Sequence, residues 1–217
     1  MFEAAPVAAE LQAAGQAFGP PIADPPLAGS PALRWGLLFD ALDSDGDQGY
    51  VTAIELIYEG YLYHYRESRV SATVDDGHAS ALLAGDFFYA RGLRLIAARG
   101  DAEAVGLLAR LMAACSYLRG VAAPFTDDDA LWAYTMGGLA ALRRGVPPTT
   151  AAALFERFDA AVADVVTIDV RALARASARR LGLRNAVPLD VELAAGEASP
   201  AGPAAVAAAP ADADERS

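Results

Sequence analysis

Apolar side chains recur at helical spacing through the middle of the chain. Leu33, Leu37, Leu38 and Leu42 fall on one face of a helix with 3.6 residues per turn. The same pattern predicts seven helices. The first five lie at about 31–42, 52–67, 78–98, 101–118 and 126–145, the sixth begins at Thr149 or Thr150, and the seventh lies at about 169–183. Alternating strand patterns are nearly absent, and short connections favour antiparallel neighbours. The pattern predicts an all-α bundle of about seven helices.

The two ends of the chain differ in composition from this middle part. Residues 1–30 are rich in Ala, Pro and Gly, which is typical of a flexible arm with room for one short helix before Gly15. Residues 195–217 contain Ala, Pro and acidic residues without periodicity, so we predict a disordered tail. The sequence therefore predicts a helical domain at 31–194 between an arm and a tail.

The predicted helix at 78–98 is apolar on more than one face. Such a helix is buried on most sides, either inside the domain or against a partner subunit. Gly85 lies in its middle, where glycine costs roughly 1 kcal/mol relative to alanine, and therefore indicates a close helix crossing. We expect the carboxylate of Asp86 to need hydrogen-bond partners in these surroundings.

Charge and composition exclude several classes of function. The formal net charge of -11 argues against nucleic acid as a main partner. All 17 basic residues are arginine, which excludes lysine Schiff-base chemistry. Cys115 is the only cysteine, so an internal disulfide is excluded, and its apolar neighbours predict a buried position. Without a targeting segment or an apolar run near the ~20 residues of a membrane span, a cytoplasmic protein is expected.

Two stretches of the middle part resemble a known family. Residues 81–91, ALLAGDFFYAR, resemble the helix written AVLAGDYLLAR in the trans-isoprenyl (polyprenyl) diphosphate synthases. Upstream, AIELI at 53–57 and YLYH at 61–64 are similar to the family's helix that ends in a histidine before the first aspartate-rich motif. The resemblance covers about residues 31–120 and implies the front part of the isoprenoid synthase fold.

The chain departs from this family where the family binds metal. His64 is followed by Tyr65 and Arg66, with Arg69 soon after, in place of the aspartates of the first motif. No DDxxD motif occurs in the chain, whereas the family uses two to hold Mg²⁺ on the allylic diphosphate. We therefore expect no catalysis by this chain alone and no cofactor bound directly.

Some members of the family are heterodimers in which a short subunit lacks both motifs and supports activity and product length. This chain resembles that non-catalytic subunit of heptaprenyl and hexaprenyl diphosphate synthases. The resemblance implies a catalytic prenyl diphosphate synthase subunit as partner, with Mg²⁺ bound on the partner. It also implies that the helices at 78–98 and 101–118 contact the partner, the first through Leu82, Gly85, Asp86, Phe87, Phe88 and Tyr89.

A calcium-binding module is one alternative function. Asp43, Asp45 and Asp47 stand at the first, third and fifth positions of an EF-hand-like loop at 43–55. One extra residue in the loop would bring Glu55 to the position of the bidentate glutamate. The competing interpretation is an acidic turn between two helices.

A helical protein-interaction domain derived from a prenyl synthase is the other alternative. Arg171, Arg175 and Arg179 share one face of the last predicted helix, which suits either an anionic partner or solvent. His64 and His78 are the only histidines, and no Ser or Cys nucleophile is assigned to either, so we interpret both as structural.

Overall fold

The computed structural model describes residues 3–18, 31–43, 46–71, 78–145 and 156. Within these ranges the chain forms six α-helices and no β-strand, which confirms the all-α prediction. The helices are α1 (Ala4–Phe18), α2 (Trp35–Asp43), α3 (Gln48–Tyr65), α4 (His78–Ala97), α5 (Ala102–Gly120) and α6 (Phe125–Arg143). The two helices predicted after residue 148 lie outside the described ranges, apart from residue 156. The predicted tail at 195–217 also lies outside them.

Helices α3 and α4 make the most extensive contact of the fold. Three glycines lie where the two backbones meet. A Cβ added to Gly60 would lie 2.8 Å from the carbonyl oxygen of Gly85, and one added to Gly92 would lie 2.7 Å from that of Ala53. Because Gly60 meets Gly85 while Ala53 meets Gly92, the helices are antiparallel. The close crossing predicted at Gly85 is confirmed, and the helix that it crosses is α3 of the same chain.

The main core lies between α2, α3, α5 and α6 and is rich in aromatic rings. Trp35 of α2 stacks on Trp132 of α6 with ring centres 5.9 Å apart, and Tyr58 of α3 meets Trp132 edge-on at 5.1 Å. At the other end of α2, Asp43 pairs with Arg143 near the end of α6. These two contacts show that α2 and α6, which are not consecutive in the chain, run parallel.

Helix α1 packs onto α3 and α4 and is part of the fold. Leu11 and Ala14 are buried in a second apolar cluster together with Phe88. Glu10 pairs with Arg91 of α4 at 2.5 Å. Residues 4–18 therefore form a packed helix, whereas a flexible arm was expected at residues 1–30. The helix also continues past Gly15, although only a short helix before that glycine was expected.

The helix starts of α5 and α6 differ in how they are capped. The carboxylate of Asp101 accepts a hydrogen bond from the Ala104 amide at 2.9 Å, as expected for a capping residue. Helix α6 instead begins at Phe125 after Pro124, without a side-chain cap, so the start predicted at Thr126 is one residue late. None of the described helices is long and apolar enough to cross a membrane.

Candidate functional site

The segment after α3 is the one in which the sequence resemblance led us to expect a degenerate aspartate-rich motif. Helix α3 ends at Tyr65, and the Arg66 amide donates to the carbonyl oxygen of Leu62 at 2.8 Å. The chain then turns back along α3 through residues 66–71. Both guanidinium groups of this segment, those of Arg66 and Arg69, point into the protein and form ion pairs there.

Arg69 closes this segment onto α3 through two buried glutamates. Its guanidinium lies 2.6 Å from Glu55 Oε2 and 2.8 Å from Glu59 Oε2, and both glutamates are fully buried. Glu55 Oε1 also accepts from the backbone amides of Arg34 and Gly36 at 2.8 and 2.7 Å. Burial alone would lower the pKa of Arg69, but the two carboxylates raise it overall. We call these three side chains the Arg69 network.

A second group of buried charges, which we call the Asp128 centre, consists of Tyr61, Arg66, Arg119, Asp128 and Asp129. Tyr61 donates to Asp128 at 2.5 Å, and Arg119 pairs with Asp128 at 2.9 Å. Burial raises the pKa of Asp128 to about 6, against the opposing effects of Tyr61, Arg119 and Arg66. Burial, followed by the charge of Asp128, also raises the pKa of Tyr61. The tyrosine therefore stays protonated and donates.

Asp129 is held from a different side, by arginines of two other segments. Its Oδ1 lies 3.3 Å from Arg34 and 3.7 Å from Arg66. Its Oδ2 is buried and has no hydrogen-bond partner among the described residues, and the same is true of the indole nitrogens of Trp35 and Trp132. Such buried polar atoms are usually satisfied by ordered water or by a ligand.

The ring of Phe125 contacts both cations of the Asp128 centre. The guanidinium carbons of Arg66 and Arg119 lie 4.3 and 4.0 Å from its centre, within the range of a cation–π contact. Cys115 is fully buried, and burial raises the pKa of its thiol. The cations of the centre are thus paired with its buried carboxylates, and its buried thiol is not an activated nucleophile.

His64 lies beside the glycine crossing. It stacks on Tyr89 with ring centres 5.1 Å apart, and its Nε2 is 3.3 Å from Asp86 Oδ1, without the alignment of a good hydrogen bond. A Cβ on Gly85 would lie 2.5 Å from the His64 ring, so this glycine makes room for the histidine. Burial lowers the pKa of His64, although Asp86 opposes the shift. A neutral, packed ring fits the structural role predicted for this histidine.

The residues predicted to contact a partner do not share one environment. Leu82 is 47% exposed and the Asp86 side chain is 71% exposed. Asp86 is therefore not in the apolar surroundings expected for it. Phe87 and Tyr89 are half-buried. Gly85 and Phe88 are buried within this chain, against α3 and in the second apolar cluster, and cannot touch a partner directly.

The carboxylates proposed for calcium are bound to arginines or to backbone amides. Arg143 lies 3.0 Å from Asp43 and 3.4 Å from Asp47, and Asp47 also accepts from two amides of the first turn of α3. Glu55 belongs to the Arg69 network. Asp45 lies outside the described residues. These contacts fit the turn interpretation and give no support to the calcium alternative.

In the part of the chain that the structure describes, no three His, Cys, Asp or Glu side chains come together as a metal site. Arg171, Arg175 and Arg179 lie beyond the described ranges, and the surroundings of the His78 side chain are not described.

The acidic run at 127–129 follows a helix start, where acidic side chains are normally explained by the helix dipole. The structure instead shows that Asp128 and Asp129 turn inward to arginines of other segments. The nearby Trp132, one turn further along α6, was the available sign of a buried face.

Family models, curated proteins and solved structures were each compared with this chain, and none of them matches it.

Proposed function

We propose that this chain is a non-catalytic, regulatory subunit of a heteromeric long-chain polyprenyl diphosphate synthase. In this proposal a catalytic partner binds Mg²⁺ and both substrates, while this chain supports its activity and product length. The proposal rests on the resemblance of residues 31–120 and on an all-α arrangement in which the Gly-Asp helix packs tightly on α3, which carries His64 near its end.

The observation that carries the proposal is that the two arginines after His64, Arg66 and Arg69, form buried ion pairs within the chain. Arg66 pairs with Asp129, and Arg69 pairs with Glu55 and Glu59. Cations now occupy positions at which the resembled family presents carboxylates to Mg²⁺. Because these cations already neutralise buried acids, removing them would leave uncompensated charges. The segment is thus stabilised in a form that suits structural support better than metal-dependent catalysis.

The exposed side of α4 is the surface that we assign to the partner. Leu82 and Leu83 are 47% and 61% exposed, so both side chains are accessible to a partner on this side of α4. Both lie on the helix that resembles the family's Gly-Asp helix. Gly85 on the same helix fixes its position against α3.

The test is reconstitution with a catalytic subunit that has two intact DDxxD motifs, first of all one encoded beside this chain's gene. Wild-type protein should co-purify with that subunit and change its product length. Leu82→Asp and Leu83→Asp should abolish co-purification. Leu37→Asp is the matched control, because Leu37 is 41% exposed on α2, away from α4. No association of the wild-type chain with such a subunit would refute the proposal.

A further inference from the structure

Helix α1 fills an apolar groove between α3 and α4. Leu11 and Ala14 of α1 are fully buried in the second apolar cluster. The other buried members of that cluster line the groove and are Leu56, Tyr63, Val70, Ala84 and Phe88. Glu10, next to Leu11 in the sequence, pairs with Arg91 of α4. The groove thus combines an apolar floor with one cation.

The floor of this groove is held by contacts that do not involve α1. Tyr63 of α3 stacks on Phe88 of α4 with ring centres 5.4 Å apart. The two backbones are fixed against each other at the glycine crossing, where a Cβ on Gly60 would lie 2.8 Å from the carbonyl oxygen of Gly85. The groove should therefore keep its shape when α1 leaves it.

Helix α1 buries little apolar surface for its length. Val7 and Leu11 are the only large apolar side chains that the structure describes in α1, and its other buried residues are alanine or glycine. In α3, by contrast, every residue from Ala53 to Tyr63 is buried. A helix of 15 residues is marginal in water on its own, and elements with few buried apolar contacts open more easily than the whole domain unfolds. We therefore expect α1 to leave the groove while the other helices stay folded.

We propose that the groove between α3 and α4 is a helix-binding site, and that α1 is its displaceable, autoinhibitory occupant. The partner that fits is an amphipathic helix of another protein with the pattern of α1. Its apolar residues are at i, i+4 and i+7, as Val7, Leu11 and Ala14 are in α1. An acid at i+3 pairs with Arg91, as Glu10 does.

This inference does not rest on the proposed function. The groove uses the side of α4 that carries the buried Ala84 and Phe88, whereas the surface assigned to a synthase subunit carries the exposed Leu82 and Leu83. Binding of a helix in the groove and assembly with a synthase are separate measurements, and either can fail without the other.

The first test is native-state hydrogen exchange on the full-length wild-type chain. The amides of α1 should exchange at least about tenfold faster than those between Ala53 and Tyr63 of α3, because α1 opens without the rest of the fold. Equal protection of α1 and α3 would overturn the proposal, since α1 would then leave the groove only when the whole chain unfolds.

The second test adds a fluorescently labelled peptide of residues 3–18 to full-length variants and measures binding by anisotropy. Leu11→Asp places a charge in the apolar cluster and should unseat α1, while circular dichroism shows that the other helices stay folded. The peptide should bind this variant at least about tenfold more tightly than wild type, where the tethered α1 competes at an effective concentration on the order of millimolar. Ala13→Asp is the matched control, because Ala13 is exposed on α1, and should bind the peptide as weakly as wild type.

The ion pair distinguishes this groove from any other apolar surface. In the Leu11→Asp chain, adding Arg91→Glu should weaken binding of the wild-type peptide about threefold, and a peptide with Glu10→Arg should recover it. The proposal is overturned if Leu11→Asp unfolds the whole chain or binds the peptide no better than wild type does. It is also overturned if a peptide with Leu11→Asp binds as tightly as the wild-type peptide, or if reversing Arg91 does not change which peptide binds better.

Discussion

Replacing Gly92 by alanine should destabilise the protein, although alanine is the better helix former. Gly92 lies in α4 where its backbone meets α3. A Cβ there would lie 2.7 Å from the carbonyl oxygen of Ala53 and 2.5 Å from a side-chain carbon of Ile57. A backbone carbonyl cannot rotate away as a flexible side chain can, so the two helices must separate by several tenths of an ångström.

The expected size of the effect follows from two opposing contributions. Alanine in a helix interior stabilises by about 1 kcal/mol relative to glycine. Overfilling a packed contact costs about 1–3 kcal/mol. Since the clash at Gly92 involves backbone, we take the upper part of that range and expect a net loss of about 1–2 kcal/mol.

Gly106 supplies the matched control, because it is an exposed glycine within α5 whose added Cβ would meet nothing within 4 Å. Gly106→Ala should therefore stabilise by up to about 1 kcal/mol. Urea unfolding monitored by circular dichroism measures both variants. If Gly92→Ala is as stable as Gly106→Ala, the backbone contact between α3 and α4 is not as close as described.

Three further predictions test the buried charges and the two sides of α4. The pKa of Asp128 is raised from 3.8 to about 6, so the folded protein retains a proton that the unfolded chain releases between those pH values. The free energy of unfolding of wild type relative to that of Asp128→Asn should therefore be highest below pH 4 and fall by about 3 kcal/mol as the pH rises above 6. A difference between the two proteins that does not change with pH would contradict this. Phe88→Asp should cost at least about 3 kcal/mol because Phe88 is fully buried, whereas Leu83→Asp should change stability by less than about 0.5 kcal/mol. Equal melting temperatures of the two variants would refute the assignment of Phe88 to the buried side of α4 and of Leu83 to its exposed side. Calcium should leave the melting temperature unchanged, since Arg143 pairs with Asp43, and a shift that disappears in Asp43→Ala would restore the calcium alternative.

Helix positions between residues 31 and 145 could be predicted because the apolar spacing there is regular. The helix predicted at 78–98 is observed at His78–Ala97, and the one predicted at 101–118 at Ala102–Gly120. Helix α1 was underestimated because its alanine-rich sequence gives little contrast between faces. Its burial depends on α3 and α4, which the sequence of residues 4–18 does not show.

The buried charges were much harder to predict than the helices. A helix start with acidic residues is normally explained by the helix dipole, and that explanation also fits Asp128 when only its neighbours are considered. Its real partners, Tyr61 and Arg119, come from two other helices. Gly85 shows the opposite case, because a glycine inside a helix already indicates a close crossing, although not which helix it meets.

The most direct test of the central claim is a prenyl transfer assay with the purified chain, a catalytic subunit that carries two DDxxD motifs, and both together. With allylic and homoallylic diphosphates and Mg²⁺, this chain alone should give no product above the blank. The mixture should give more product, or a different product length, than the catalytic subunit alone. Steady turnover by this chain alone, or a mixture that behaves as the catalytic subunit does by itself, would contradict the account.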